Sequence, residues 1–263
     1  MSFNYRIGTT SYIYPESMLE NIRKLKNKVD DIELLFFEQG YSPGKDELDA
    51  MKQSSEKDGF SYTVHLPLDL ELGSSEEAVR RQAVDEVRRI IKEVFFLEPY
   101  AYILHINKTD DLEWEKNIRC SLQSIVKDIS ISPDKICVEN LEYPLELIEK
   151  IINEFGFSIC LDIGHMIENK YDIKRYFNRY INKTRVIHLY EIDGKGRHGS
   201  LNKVDSEIIS WLKDMLAFIK YDGLITLEVF SEEDFIESLA ILTGRNNIRP
   251  VVEEKERYSR LAE

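Results

Sequence analysis

Short apolar runs alternate with longer amphipathic stretches along most of the chain, and the alternation repeats eight times. The first run, Tyr5–Thr10, leads into a helical pattern that Pro15 opens and that continues through Leu25. Ile32–Phe37 is a nearly continuous apolar strand ending in Glu38; a helix is expected near Lys45–Lys57, stopped by Gly59. Phe60–Leu66 forms the third strand, and helix three runs from Ser75 to about Phe96, with Glu76 and Glu77 in its first turn. Ala101–Ile106 and Lys135–Val138 are strands four and five, followed by helices near Leu112–Asp128 and Pro144–Phe155. Strand six is SICLDIGH, Ser158–His165, then a helix over Ile173–Tyr180; strand seven is Arg185–Tyr190, then a helix over Asp205–Ile219. Gly223–Val229 is strand eight, and Ser231 caps a last helix to about Thr243.

Eight strand-then-helix units in one chain predict an α/β fold of the (β/α)8 TIM-barrel type, with an open doubly wound sheet as the alternative. No Gly-rich fingerprint follows an early strand, since Ile7–Ser11 reads IGTTS, so neither a dinucleotide site nor a phosphate loop is supported. With 263 residues, 43% of them hydrophobic, and no flexible linker, a single domain over 1–263 is expected, with a barrel at about 5–243 and a polar tail at 244–263. The longest apolar runs are too short to span a bilayer, and MSFNYRIGTT does not read as a signal peptide. Cys120, Cys137 and Cys160 are dispersed in apolar surroundings, as reduced core thiols are, which fits a cytoplasmic enzyme. A net charge of −13 argues against nucleic-acid and anionic-membrane partners; oligomeric state is left open.

The chemistry collects at strand ends, where barrels of this kind place their active sites. Of only five histidines, His65, His105, His165 and His188 lie in or just past strands three, four, six and seven, and His198 lies in the loop after strand seven. Glu139, Asp162 and Glu228 add carboxylates on strands five, six and eight. Each alone is open to a structural explanation; Asp162 in particular suits a helix cap. Together they suit divalent metal binding by imidazole and carboxylate, with zinc, manganese or iron as the ions such donors take. The donors outnumber the ligands one ion usually takes from protein, so two divalent ions, zinc or manganese, are expected, bridged by a carboxylate such as Glu139. Two ions suit in-line displacement at a phosphodiester, whereas one ion would suit isomerase chemistry with carboxylates moving protons. Tyr12, Tyr14, Tyr190 and Phe230 flank the expected mouth; Tyr12 and Tyr190 are candidate substrate contacts. Neither a G-x-S-x-G motif nor a cysteine next to a histidine offers a competing nucleophile.

With these residues in place, the chain resembles the xylose isomerase-like superfamily of barrels, which holds sugar isomerases and epimerases and the endonuclease IV type of apurinic-site nuclease (AP endonuclease family 2). The resemblance covers roughly residues 5 to 240. It implies that Glu139, Asp162, His188 and Glu228 hold one metal, as in the isomerase branch. His65, His105 and His165 match histidines that add further metals in the nuclease branch. That branch also has an Asp two residues before the histidine matched by His198; here the loop reads GKGRHGSL, with Gly196 at that place, so a third ion depends on Asp193 substituting. Lys195 and Arg197 are candidate phosphate contacts. The stretches IGTTSYIYP, VHLPLDLELGS, VENLE and LDIGH look like the cobamide-remodelling phosphodiesterases of the same superfamily. That resemblance implies a corrinoid substrate and hydrolysis of the nucleotide-loop phosphodiester to cobinamide phosphate and an α-riboside; Glu139, Glu228 and His198 are the candidate catalytic groups, with Glu139 and Glu228 as acid and base if the chemistry is an isomerase's. A one-metal sugar isomerase or epimerase, an apurinic-site nuclease and a barrel that binds a metabolite without turnover are the alternatives.

Overall fold

The structure, a computed structural model, describes residues 4–36, 40, 42–192 and 196–244. Its strands are β1 (Arg6–Thr10), β2 (Asp31–Leu35), β3 (Ser61–His65), β4 (Tyr102–Leu104), β5 (Ile136–Glu139), β6 (Ser158–Asp162), β7 (Thr184–Leu189), β8 (Glu191–Ile192), β9 (His198–Gly199) and β10 (Leu224–Leu227). The helices are α1 (Met18–Leu25), α2 (Lys45–Asp58), α3 (Glu77–Val94), α4 (Trp114–Asp128), α5 (Glu149–Phe155), α6 (Ile163–Glu168), α7 (Ile173–Tyr180), α8 (Ser206–Phe218) and α9 (Glu232–Thr243). Eight strands close into a barrel in the order β1-β10-β7-β6-β5-β4-β3-β2, and every neighbouring pair is parallel. The expected TIM barrel is thus present. β8 and β9 stand outside it as a small antiparallel pair.

The apolar runs read as strands because each is covered on one face by helices and filled on the other by its neighbours; β2 and β10 are buried at every position. Alternation along the strands divides the core in two. The larger cluster lies between strands and helices, whereas Ala101, Ile103, Cys137, Cys160, Val186 and Leu224 form a separate one inside the barrel. Gly8 leaves room there: a Cβ at this position would sit 3.0 Å from the Asp31 carbonyl oxygen and 3.3 Å from Leu224. Further along the strands the interior turns polar. Glu33 is in register with Thr63, Leu35 with His65, and Thr226 with His188, which is itself in register with Asp162.

Several boundaries differ from expectation for local reasons. Helix α1 starts at Met18 rather than Pro15 because Ser17 caps it, accepting from the Glu20 amide at 3.3 Å. Helix α5 is shorter than expected because a 3-10 turn over Leu145–Leu147 takes up the chain after Pro144. Helix α4 begins at Trp114, leaving Leu112 exposed. Strand β4 ends at Leu104, so His105 lies just past it. Helix α6 and the β8–β9 pair have no counterpart among the expected elements. The expected end of strand two, Phe37 and Glu38, lies outside the described residues, as does the tail beyond Gly244. No helix among the described residues is long and apolar enough to cross a membrane.

Candidate metal centre

At the C-terminal end of the barrel, the strands deliver their polar side chains to one place. His65 ends β3, Glu139 ends β5, Asp162 ends β6, His188 lies within β7 and Glu228 follows β10, and all five are buried. His105 is half-buried beside them. Glu139 is the common partner. Its Oε2 lies 3.1 Å from His105 Nε2 and 3.4 Å from His65 Nε2, whereas its Oε1 lies 3.5 Å from His188 Nδ1 and 3.8 Å from His165 Nε2. One carboxylate therefore faces two sets of imidazoles, one set per oxygen.

Three groups of donor atoms, each gathered within 4.8 Å, share this residue: Glu139, Asp162, His188 and Glu228 on one side, His65, His105 and Glu139 on the other, and a smaller one of Glu139, Cys160 and His188. His188 Nδ1 makes no hydrogen bond, yet it is buried and lies 3.3 Å from Glu228 Oε2, 3.5 Å from Glu139 Oε1 and 3.7 Å from Asp162 Oδ2. A buried ring nitrogen without a hydrogen bond, ringed by three carboxylates, is the donor arrangement of a divalent metal site. The residues fit the ion that the sequence implies. Hard carboxylate oxygens mixed with imidazole suit zinc or manganese.

Around the floor, the second nitrogen of two rings is tied off. His65 Nδ1 donates to the Leu66 carbonyl at 2.9 Å, which aims Nε2 at Glu139. His198 Nδ1 donates to the Glu228 carbonyl at 2.9 Å, and its ring stacks on Tyr190 with centroids 3.7 Å apart. Tyr190 in turn donates to Asp162 Oδ2 at 3.1 Å.

The SICLDIGH stretch resolves into strand and helix at Asp162. Its Oδ1 caps α6 by accepting from the His165 amide at 2.6 Å, and its Oδ2 faces the site. Cap and ligand platform are thus two oxygens of one carboxylate. Gly164 makes room for the Tyr190 ring beneath α6, since a Cβ there would lie 2.4 Å from it.

The electrostatics follow from burying carboxylates among imidazoles. Burial pushes Glu139 up, but the charges of His105 and His188 outweigh it and hold the carboxyl well below its usual range. Burial likewise opposes ionisation of Glu228, and His188 lowers it. Asp162 is raised, first by burial and then by Glu139 and Glu228, against the pull of His165. Burial alone lowers His65, yet Glu139 beside it brings the imidazole up to about 9; His188, also desolvated, is raised well above its ordinary value by the carboxylates of Glu33, Glu228 and Glu139. The pocket draws in positive charge, whether proton or cation. Cys160 also lies within 4.8 Å of Glu139 and His188, but burial pushes its thiol well up, which keeps it protonated and apolar.

A cavity of about 710 Å³ opens above this floor. His65, His105, Glu139, His165 and Glu228 line its base, and Arg197, His198, Lys203, Leu68 and Phe230 contribute walls. Asp162 and His188 are not among its lining residues and lie fully buried. Tyr190 is fully buried too, reaching the centre through its hydroxyl, which makes it a support for Asp162 and His198 rather than a surface for substrate. Tyr12 is half-buried against the outer apolar cluster and does not line the cavity. Lys195 and Asp193 lie outside the described residues.

Two residues join the picture from the structure alone. Glu33, in β2, is fully buried with Oε2 3.0 Å from His188 Nε2. Its signal in the sequence is one acidic residue inside the apolar run Ile32–Phe36. Lys203, in a 3-10 turn after β9, joins Arg197 on the cavity wall; nothing in its polar surroundings marks it in the sequence.

The chain shares its fold with several solved structures. A D-tagatose 3-epimerase-like protein superposes with a TM-score of 0.75 at 22% identity, covering 91% of this chain and 96% of that one. Endonuclease IV from Thermus thermophilus superposes with a TM-score of 0.72 at 14% identity, covering 91% and 98%. An L-ribulose 3-epimerase gives 0.69 at 17% identity, over 94% and 89%. In sequence, an uncharacterized protein of Methanocaldococcus jannaschii is 26% identical over 171 residues, 59% of this chain; the match spans just under two thirds, 66%, of that relative's length. The family model for the xylose isomerase-like TIM barrel matches residues 22–250, and the chain belongs to that family.

Proposed function

We propose that the protein is a metal-dependent phosphodiesterase, with the nucleotide-loop phosphodiester of a cobamide as its substrate. The observation that carries the hydrolytic part is the second donor group: His65 and His105 gather on Glu139 Oε2 while the four-residue group occupies the other side of the same carboxylate. One-metal isomerase chemistry needs only the four. The corrinoid part rests on the four sequence stretches that look like the cobamide-remodelling enzymes.

Two divalent ions held by these groups would supply Lewis-acid stabilisation to an in-line displacement at phosphorus. His65, His105 and Glu139 would hold one, and Glu139, Asp162, His188 and Glu228 the other, with His165 Nε2, 3.8 Å from Glu139, at the side of the pair. Arg197 and Lys203 place cationic side chains on the wall, where a phosphate oxygen is charge-matched. With Nδ1 donating to the Glu228 carbonyl, His198 keeps Nε2 for a substrate oxygen; only as the imidazolium, with a proton on both nitrogens, would it serve as proton donor to the departing ribose oxygen. Leu68 and Phe230, both partly exposed at the mouth, give the cavity an apolar rim beside its charged floor.

The test is to incubate protein loaded in turn with zinc and manganese with adenosylcobamides of differing lower base, and to identify products by mass. Cobinamide phosphate plus an α-riboside is the expected result; absence of turnover with every metal and lower base contradicts the proposal. A sugar epimerase is the second function in view, favoured by the quartet Glu139, Asp162, His188 and Glu228 taken alone. It predicts one tightly bound ion and solvent-hydrogen exchange into a ketose.

A further inference from the structure

Glu33 and His188 meet inside the barrel although β2 and β7 are not neighbours; β1 and β10 stand between them in the wall. Both side chains are fully buried, and the Oε2–Nε2 distance is 3.0 Å. We propose that Glu33 is a positioning residue for the metal centre. It accepts the Nε2–H of His188, fixing the ring's tautomer and rotation so that Nδ1 is the nitrogen offered to an ion. This inference rests on the metal-centre reading above and adds to it the residue that selects the ligand atom.

Glu33, His65, His188 and Glu228 also gather donor atoms within 4.8 Å of one another, so the rival arrangement makes Glu33 and Nε2 themselves ligands; one ring nitrogen cannot donate a proton and bind an ion at once, so the two roles are mutually exclusive. The distances favour the donor role. Nε2 is satisfied by Glu33, whereas Nδ1 has no hydrogen bond and faces three carboxylate oxygens at 3.3–3.7 Å. His65, stacked on His188 with ring centroids 5.9 Å apart, shows the same logic with its nitrogens exchanged: Nδ1 is tied to the Leu66 carbonyl and Nε2 faces Glu139. Metal-ligating histidines generally hold such an acceptor on the second nitrogen, and its loss costs about 10–100-fold in metal affinity.

Metal titrations by calorimetry, with zinc and with manganese, on wild type, Glu33→Gln, Glu33→Leu and the same changes in a His188→Ala background, test this. The expected result is that Glu33→Leu weakens binding about 10–100-fold with the number of ions unchanged. Glu33→Gln is milder, because its amide oxygen still accepts, and neither change has a further effect once His188 is alanine. Unchanged affinity in Glu33→Leu overturns the inference, as does loss of one bound ion with an effect that persists without His188. If wild type binds neither ion, the metal-centre reading itself fails; if wild type binds and the variants match it, only the role of Glu33 fails. Should the variants not fold, nitrogen NMR of the zinc-loaded wild type decides: a proton on His188 Nε2 supports the inference, and a proton on Nδ1 overturns it.

Discussion

Glu139 concentrates the chemistry in one residue, because its two oxygens face different imidazole sets. Replacing it by glutamine keeps the shape and removes the shared charge, so each donor group that shares it loses a member. Glu139→Gln should weaken divalent-ion binding by more than about 100-fold, beyond what supporting residues cost; titration that still finds wild-type affinity contradicts this. A second residue, Asp31, lies deeper in the barrel and tests burial itself. Burial raises its carboxyl to about 7, against the hydrogen bond with Ser61 and the charge of Arg6. The unfolded chain ionises the same group near pKa ~3.9. The folded protein thus holds this proton more tightly, so stability is unaffected below about pH 4, falls as pH climbs from about 4 to about 7, and carries a cost on the order of 4 kcal/mol above that. Asp31→Asn should accordingly gain stability relative to wild type at about pH 8 and lose that gain at about pH 4.5. Thermal melts at the two pH values report the difference, and equal shifts contradict it.

Among the elements, α6 and the β8–β9 pair do the positioning that the barrel strands do not. Gly164 lets α6 pass over the Tyr190 ring, Tyr190 holds Asp162 Oδ2, and His198 on β9 stacks on the same ring. Gly164→Ala should therefore cost about 1–3 kcal/mol of stability through overpacking and weaken metal binding as Tyr190 is displaced. Denaturant unfolding and metal titration of one variant read the two effects; normal metal binding in a destabilised protein would break the proposed link. These small elements are the least legible in the sequence. A six-residue helix and two-residue strands hold too few positions for any periodicity to show, whereas the barrel strands announce themselves because burial on both faces makes them continuous apolar runs. The histidines and carboxylates stand out for the same reason, as polar residues where apolar runs end. Glu33 does not, because it sits inside its run and its partner is 155 residues away. Tyr190 reads as a mouth residue in the sequence because strand alternation does not reveal that a missing Cβ on another element admits its ring.

At the scale of the whole molecule, the barrel gathers carboxylates and imidazoles from seven strands or strand ends into one buried pocket, at a cost that cations bound there would offset. Ions that bind only the folded state stabilise it by mass action, about 2.7 kcal/mol at roughly 100 times Kd. Adding a chelator should lower the melting temperature, and restoring zinc or manganese should raise it in a concentration-dependent way; a melting temperature indifferent to both argues that the pocket holds no ion. The net charge of −13 sets the wider field, which opposes a polyanionic duplex; on the proposed function, the substrate phosphate would approach the Arg197 and Lys203 wall. The most direct measurement is phosphorus NMR of a cobamide with metal-loaded wild type, with chelated wild type and with Glu139→Gln. Conversion of the phosphodiester signal to a phosphomonoester by the first sample alone is the predicted result. A phosphodiester signal that persists in all three, while a ketose exchanges hydrogen with solvent in the presence of the metal-loaded protein, would contradict it in favour of epimerisation.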